Sequence, residues 1–123
     1  MQRRVVVTGL GVVSPIGAGK EAFWKSLIAG ISGVSTISFF DASAYPTQIA
    51  AEVKDFNPTD FIEPKESRRM DRFSQFAVVA AGMALKDAGL SKESIDPDRA
   101  GVVIGSGIGG LATLEEQHKL LLT

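Results

Sequence analysis

Two β-branched runs, each ending abruptly in glycine, constrain this chain more than any other feature. Arg4 to Thr8 runs into Gly9-Leu10-Gly11 and then Ser14-Pro15-Ile16-Gly17, while Ala100 to Ile104 runs into Gly105-Ser106-Gly107-Ile108-Gly109-Gly110. Short, continuously apolar, β-branched segments bounded by turn residues read as strands buried on both faces. Between them, Phe23, Trp24, Leu27 and Ile28 recur at helical spacing over Glu21 to Ala29, with Gly30 as a stop. Phe73, Phe76, Ala77, Ala80, Ala84, Leu85 and Ala88 do the same over a longer stretch closed by Gly89. The alanines of that second helix lie along one stripe, which permits close approach to a neighbouring element.

The segment from Ile31 to Pro64 keeps no sustained period and predicts short strands, one of them over Ile49 to Val53. Ser91 to Arg99 is a polar connection, and Leu111, Leu114 and Leu121 predict a last helix. Strands that end in glycine loops and alternate with helices imply an α/β fold with a largely parallel sheet. Such a sheet needs more strands than the sequence supplies. The expectation is therefore an incomplete fold within residues 1–123.

The second glycine loop, Gly105-x-Gly107-x-x-Gly110, spells the dinucleotide fingerprint after a predicted strand and before a predicted helix. That fingerprint also requires an acidic residue at the end of a further strand about 20 residues on, to hold the ribose. Only Leu111 to Thr123 follows, so the requirement is not met. In the first loop Ser14 stands where the third glycine belongs. The plainer account of both loops is glycine allowing a sharp turn at a strand end. A truncated nicotinamide-binding domain stays as an alternative.

Composition removes further classes. Thirteen Lys and Arg against fourteen Asp and Glu leave a formal charge of −1, giving no global attraction to nucleic acid or anionic membrane. There is no cysteine, hence no thiol nucleophile, thiolate metal site or disulfide in these residues. Val5-Val6-Val7 is too short an apolar run for a secretory signal, and longer apolar stretches are broken by Gly, Lys or Asp, so a cytoplasmic location is expected. No metal and no cofactor is expected. The sole histidine, His118, falls in the last predicted helix and reads as a surface or packing residue. Glu115 and Glu116 are adjacent, so on a helix they diverge into solvent.

Three ordered blocks carry a resemblance: Val5 to Gly17, Arg69 to Phe76, and Ala100 to Gly110. Together they resemble the opening strand and loop, the start of the long helix, and the next strand and loop of the chain-elongating β-ketoacyl-acyl-carrier-protein synthases, most closely the synthase II type. The resemblance implies the N-terminal portion of a thiolase-like fold, layered αβαβα and homodimeric when complete. It implies condensation of malonyl-carrier protein with an acyl thioester in fatty-acid elongation, and an acyl carrier protein as partner. The family's nucleophilic Cys and two His residues lie downstream of the positions present, so no catalytic residue is assigned within 1–123, and a catalytically silent partner subunit of a synthase pair is a second alternative.

Two groups of residues can still carry function. Gly107 and Ile108 sit at the tip of the second loop, and by resemblance Ile108 lines the acyl-chain pocket; the other reading is a core-facing anchor. Lys65, Arg68, Arg69 and Arg72 fall at i, i+3, i+4 and i+7, one stripe if the segment is helical. By resemblance Lys65, Arg68 and Arg69 dock the acidic carrier protein. The other reading is a solvated face compensated by Glu63, Glu66 and Asp71.

Overall fold

The computed structural model describes residues 3–123. Met1 and Gln2, which open the lead into the first predicted strand, lie outside the described residues. Helix α3, Arg72–Asp87, is the organising element, and its sixteen residues follow the predicted stripe. It ends at Ala88, and Gly89 takes the left-handed conformation (φ 66°) that closes a helix with least steric cost.

On one side of α3 the extended segment through Gly9 and Gly11 lies directly on the helix backbone. A Cβ at Gly9 would stand 2.7 Å from the Ala88 nitrogen and 2.8 Å from the Ala88 Cβ; one at Gly11 would stand 2.8 Å from the Ala84 nitrogen and collide with the Ala80 carbonyl. Neither glycine has a positive φ. Their role is close approach rather than a sharp turn, which corrects the expectation for the first loop.

Past Gly11 the chain forms a tight hairpin, β1 (Val13–Ser14) against β2 (Gly17–Ala18), closed around Pro15 and Ile16. Ser14 Oγ donates to the Gly17 carbonyl at 2.9 Å and accepts from the Ile16 amide at 3.3 Å. Ser14 thus closes a turn, and no phosphate-facing helix begins there. Helix α1, Lys20–Ile28, follows, and Gly30 (φ 65°) ends it. Lys20 pairs with Asp87 at the end of α3, and Asp87 also accepts the Leu10 amide at 3.0 Å. One carboxylate therefore ties α1, the glycine segment and α3 together.

The irregular stretch holds a second antiparallel pair, β3 (Val34–Thr36) with β4 (Ile49–Ala51), inside the predicted strand 49–53. A short helix, α2 (Pro64–Ser67), precedes α3, and α4 (Leu111–Leu122) follows the second glycine loop as predicted. The core gathers on the adjoining face of α3: Phe56, Ile62 and Val79 are buried, with Val13, Val53, Met70, Phe76 and Met83 packed against them. No described helix is long and apolar enough to cross a membrane.

The two predicted buried strands differ from expectation. Among the described residues, neither 4–8 nor 100–104 makes a ladder, and the sheets present are the two antiparallel pairs. Val5 is 95% and Val103 99% exposed. A strand buried on both faces needs a partner on its edges and a layer over each face, and here only α3 supplies a covering layer.

The glycine contact yields a paired test by urea unfolding. Gly11→Ala forces a methyl into the α3 backbone and is expected to cost about 1–3 kcal/mol. Gly82→Ala, inside α3 with open space around it, is expected to stabilise by about 0.5–1 kcal/mol. Similar small effects at both positions would contradict the close approach.

The Lys20–Asp87 tie yields a pH dependence. Hydrogen bonding to Lys20, then to the Leu10 amide, lowers the Asp87 pKa, and the same bond raises that of Lys20. The Asp87 contribution is present above the ordinary carboxylate pKa and lost as pH falls through the lowered one; the Lys20 contribution is present below the ordinary lysine pKa and lost as pH rises through the raised one. Asp87→Asn is expected to flatten both limbs of the thermal midpoint against pH, and unchanged limbs would remove the tie.

Candidate functional site

Two features of the sequence converge on the N-terminal end of α3: the basic segment that leads into it and the glycine loop that leads out to α4. The basic segment does not form one helix. α2 stops at Ser67, Arg68 is its cap, and Arg69 and Met70 make a turn before α3 starts at Arg72. The single cationic stripe over Lys65, Arg68, Arg69 and Arg72 is thus replaced by two groups. Ser67 is the reason: it is 4% exposed, and Gln75 from α3 donates to its carbonyl at 2.9 Å and to the Met70 carbonyl at 3.2 Å. Those bonds pin a turn where helical continuation would have carried the charges round.

Arg72 goes inward. Its guanidinium lies 5.1 Å from the Phe76 ring centre, 5.5 Å from Phe39 and 5.6 Å from Phe56, and it donates to the Val53 carbonyl. Arg68 Nε donates to the Pro64 carbonyl at 3.1 Å, which satisfies the last turn of α2. Lys65, Arg68 and Arg69 are exposed and take part in none of the ion pairs found among the described residues, which are Lys20–Asp87 and Lys54–Glu52. The compensation expected from Glu63, Glu66 and Asp71 does not form. Three cations on a short fixed segment present positive charge to solvent.

The glycine loop is held differently. Gly109 adopts φ 83°, a conformation open to glycine at little cost, and its amide donates to Ser106 Oγ at 3.1 Å, closing a turn around Gly107 and Ile108. Gly105 and Gly107 have open space where a Cβ would stand, and Ile108 is 80% exposed. Ile108 is neither a core-facing anchor nor part of the groove beneath the loop's approach. That groove, of about 640 Å³, lies between the α3 stripe at Phe73, Ala77, Ala80 and Ala84 and the segment Gly101 to Gly105.

Two contacts join the loop to α3. Phe73 lies 3.8 Å from where a Gly109 Cβ would stand, and the Asp71 carboxylate fills the space a Gly110 Cβ would need, 2.7 Å at Oδ1. Asp71 also accepts a hydrogen bond from the Thr113 hydroxyl in the first turn of α4. Asp71 occupies the N-cap position of α3 yet makes no side-chain cap bond there. The sequence offers Asp71 only as a compensating charge and Gln75 only within the Arg69 to Phe76 block, and it gives no signal for Thr113, because a contact across 42 positions leaves no local pattern. His118, Glu115 and Glu116 are exposed on α4, apart from these contacts.

Comparison with known proteins adds three findings. Residues 2–122 match the family profile described as Beta-ketoacyl synthase, N-terminal domain. The chain is 51% identical to 3-oxoacyl-[acyl-carrier-protein] synthase 2 of Coxiella burnetii over 99% of its own length and 30% of the relative's. It is 48% identical to the protein of that name from Staphylococcus aureus and 47% identical to that from Synechocystis, in both cases over 98% of its own length and 29% of the relative's. The chain therefore spans about 30% of the length of the curated relatives it matches. Among solved structures, the ishigamide ketosynthase/chain length factor superposes with a TM-score of 0.83 at 39% identity, covering 98% of this chain and 31% of that one. A type II PKS acyl-carrier protein in complex with its ketosynthase gives 0.77 at 30% identity, covering 98% and 32%.

The division of the cations is testable by chemical denaturation. Arg72→Ala is expected to cost roughly 1–2 kcal/mol through lost cation–π contact and packing, with Arg72→Lys only a partial rescue because an ammonium cannot face three rings as a planar group does. Lys65→Ala and Arg69→Ala are expected to stay within about 0.5 kcal/mol of the parent. A large loss at Lys65 or Arg69 would show that these cations hold the fold.

Proposed function

The chain belongs to the β-ketoacyl synthase family, as its N-terminal domain, and on that footing we propose that it forms the first part of a condensing enzyme of fatty-acid elongation. The observation that carries this reading is near-end-to-end identity of 51% with a 3-oxoacyl-[acyl-carrier-protein] synthase 2. Residues 1–123 then form part of one thiolase-like domain, and the segments 4–8 and 100–104 are strands of its parallel sheet, paired by residues that the longer relatives contain. The reaction joins malonyl-carrier protein to a carrier-bound acyl thioester, in the cytoplasm and in a homodimer. With no cysteine and one histidine, these 123 residues supply no thiol to accept an acyl group and only one imidazole. Substrate binding and carrier docking are the tasks left to them. The family match lends no support to a nicotinamide-binding domain, and the curated relatives named above carry synthase names rather than that of a silent subunit.

Within this reading Gly107 and Ile108 border the acyl pocket, with Ile108 gating how much chain enters, and Lys65, Arg68 and Arg69 receive the acidic carrier protein. Their exposure and their lack of ion pairs among the described residues support the docking role, as does one structural relative, a type II PKS acyl-carrier protein in complex with its ketosynthase. The test is the full-length synthase assayed for 3-oxoacyl product with carrier-bound substrate and with the same acyl group on a small thiol. Arg68→Glu with Arg69→Glu is expected to slow only the carrier-bound reaction, and raised ionic strength is expected to slow the parent toward the double variant, since exposed charges steer association and are screened by salt. Parallel behaviour of parent and variant at both ionic strengths would remove the docking role. Absence of any 3-oxoacyl product from the parent would remove the reading itself.

A further inference from the structure

Ile108 is 80% exposed on a loop that carries three glycines between Gly105 and Gly109, so something outside the loop must fix where it stands. The turn bond from the Gly109 amide to Ser106 Oγ sets the loop's internal shape but not its position on the molecule. Position comes from its C-terminal end, where Gly110 rests on the Asp71 carboxylate and Thr113 donates its hydroxyl to Asp71 Oδ1. Asp71 is otherwise unaccounted for: it stands at the N-cap of α3 without capping it, and it pairs with none of the neighbouring cations. A carboxylate turned from its own helix terminus toward the first turn of another also sits favourably against that helix's dipole. Its neighbour Phe73 flanks Gly109, so the joint has a polar and an apolar half.

We propose that Asp71, through Thr113 and Gly110, is the positioning residue for the Ile108 loop and thereby sets which acyl donors the enzyme accepts. This rests on the reading of Ile108 as an acyl-pocket residue. Removing the carboxylate frees the loop end, and an Ile108 no longer held in one place is expected to weaken the fit of long donors by about tenfold, since a misplaced positioning group costs only the substrates that depend on it. Short donors, which do not reach past Ile108, keep their rate.

The test uses the full-length synthase with Asp71→Ala, Asp71→Asn, Thr113→Val and Ile108→Phe. Two readouts are taken: amide hydrogen exchange over 107–111, and kcat/KM for long and short acyl donors, with kcat and KM separated. In Asp71→Ala and Thr113→Val, exchange is expected to speed and the long-to-short donor ratio to change by about tenfold, mainly through KM for long donors; combining the two is expected to add little, as for groups acting in one contact. Asp71→Asn keeps an acceptor oxygen and is expected to restore both readouts. Unchanged exchange in Thr113→Val, which leaves the α3 terminus intact, would overturn the latch. Faster exchange with an unchanged donor ratio, while Ile108→Phe does shift that ratio, would overturn the control of selectivity alone. If Ile108→Phe also leaves the ratio unchanged, the acyl-pocket reading fails and the selectivity role fails with it, whereas the exchange result still decides the latch.

Discussion

Everything else in this structure is hung on the contact between the Gly9–Gly11 segment and the backbone of α3. Two positions without side chains let an extended chain lie against Ala80, Ala84 and Ala88 at a separation that any larger residue would prevent. With no side chain between the two backbones, a change of even one methyl group at this contact is felt. From it the hairpin is launched at Val13, α1 is brought to where Lys20 meets Asp87, and the adjoining face of α3 is left for Phe56 and Ile62. The alanine stripe and the glycines are two halves of one interface.

Helices were the legible part of the sequence. Apolar spacing and closing glycines located α1, α3 and α4 to within about a residue or two, which is the usual uncertainty of helix ends. Strands were legible as composition but not as structure. Val5 to Val7 and Val102 to Ile104 have the β-branched character of buried strands, yet pairing depends on neighbours that no local pattern specifies, and among the described residues they have none. The hairpin at Ser14 reads as a loop in the sequence because two-residue strands carry too few positions to show alternation. At the site, the residue types were readable and their placement was not: Arg72 is drawn to three rings from separate segments, and Asp71 reaches a threonine on another helix.

The basic segment shows how a small packing decision changes electrostatics. Periodicity alone puts Lys65, Arg68, Arg69 and Arg72 on one face. Burying Ser67 and binding its carbonyl with Gln75 breaks the helix between the second and fourth of them. Arg72 is then held against three aromatic rings, which its planar group covers from the solvent side, while the other three touch no ring. A cation that already holds the fold is a poor docking group, because any partner must compete with its present contacts. Arg68 gives one N–H to the Pro64 carbonyl and keeps its other donors free, and Lys65 and Arg69 enter no ion pair among the described residues, so these three differ from Arg72 in how little a partner would have to displace.

The exposed β-branched segments fit the proposed function by the same accounting of surface. The apolar residues buried among those described are Ala42, Phe56, Ile62 and Val79, and at about 25 cal/mol per Å2 of apolar area so small a core offsets little of the entropy of ordering a domain. Meanwhile Val5, Val7, Val102 and Val103 stand open, each of a residue type whose preference is for a covered sheet. An unpaired apolar strand is also a template for unwanted association, which native proteins cover or blunt with charge, and neither run contains a charged residue between its valines. Covering these runs in a larger sheet resolves both deficits at once: it adds the missing apolar burial and satisfies the backbone groups along each edge. The Gly9–Gly11 segment that continues the first run lies on α3, and the layered fold of the longer relatives, as proposed here, supplies what the faces and edges of the run itself require.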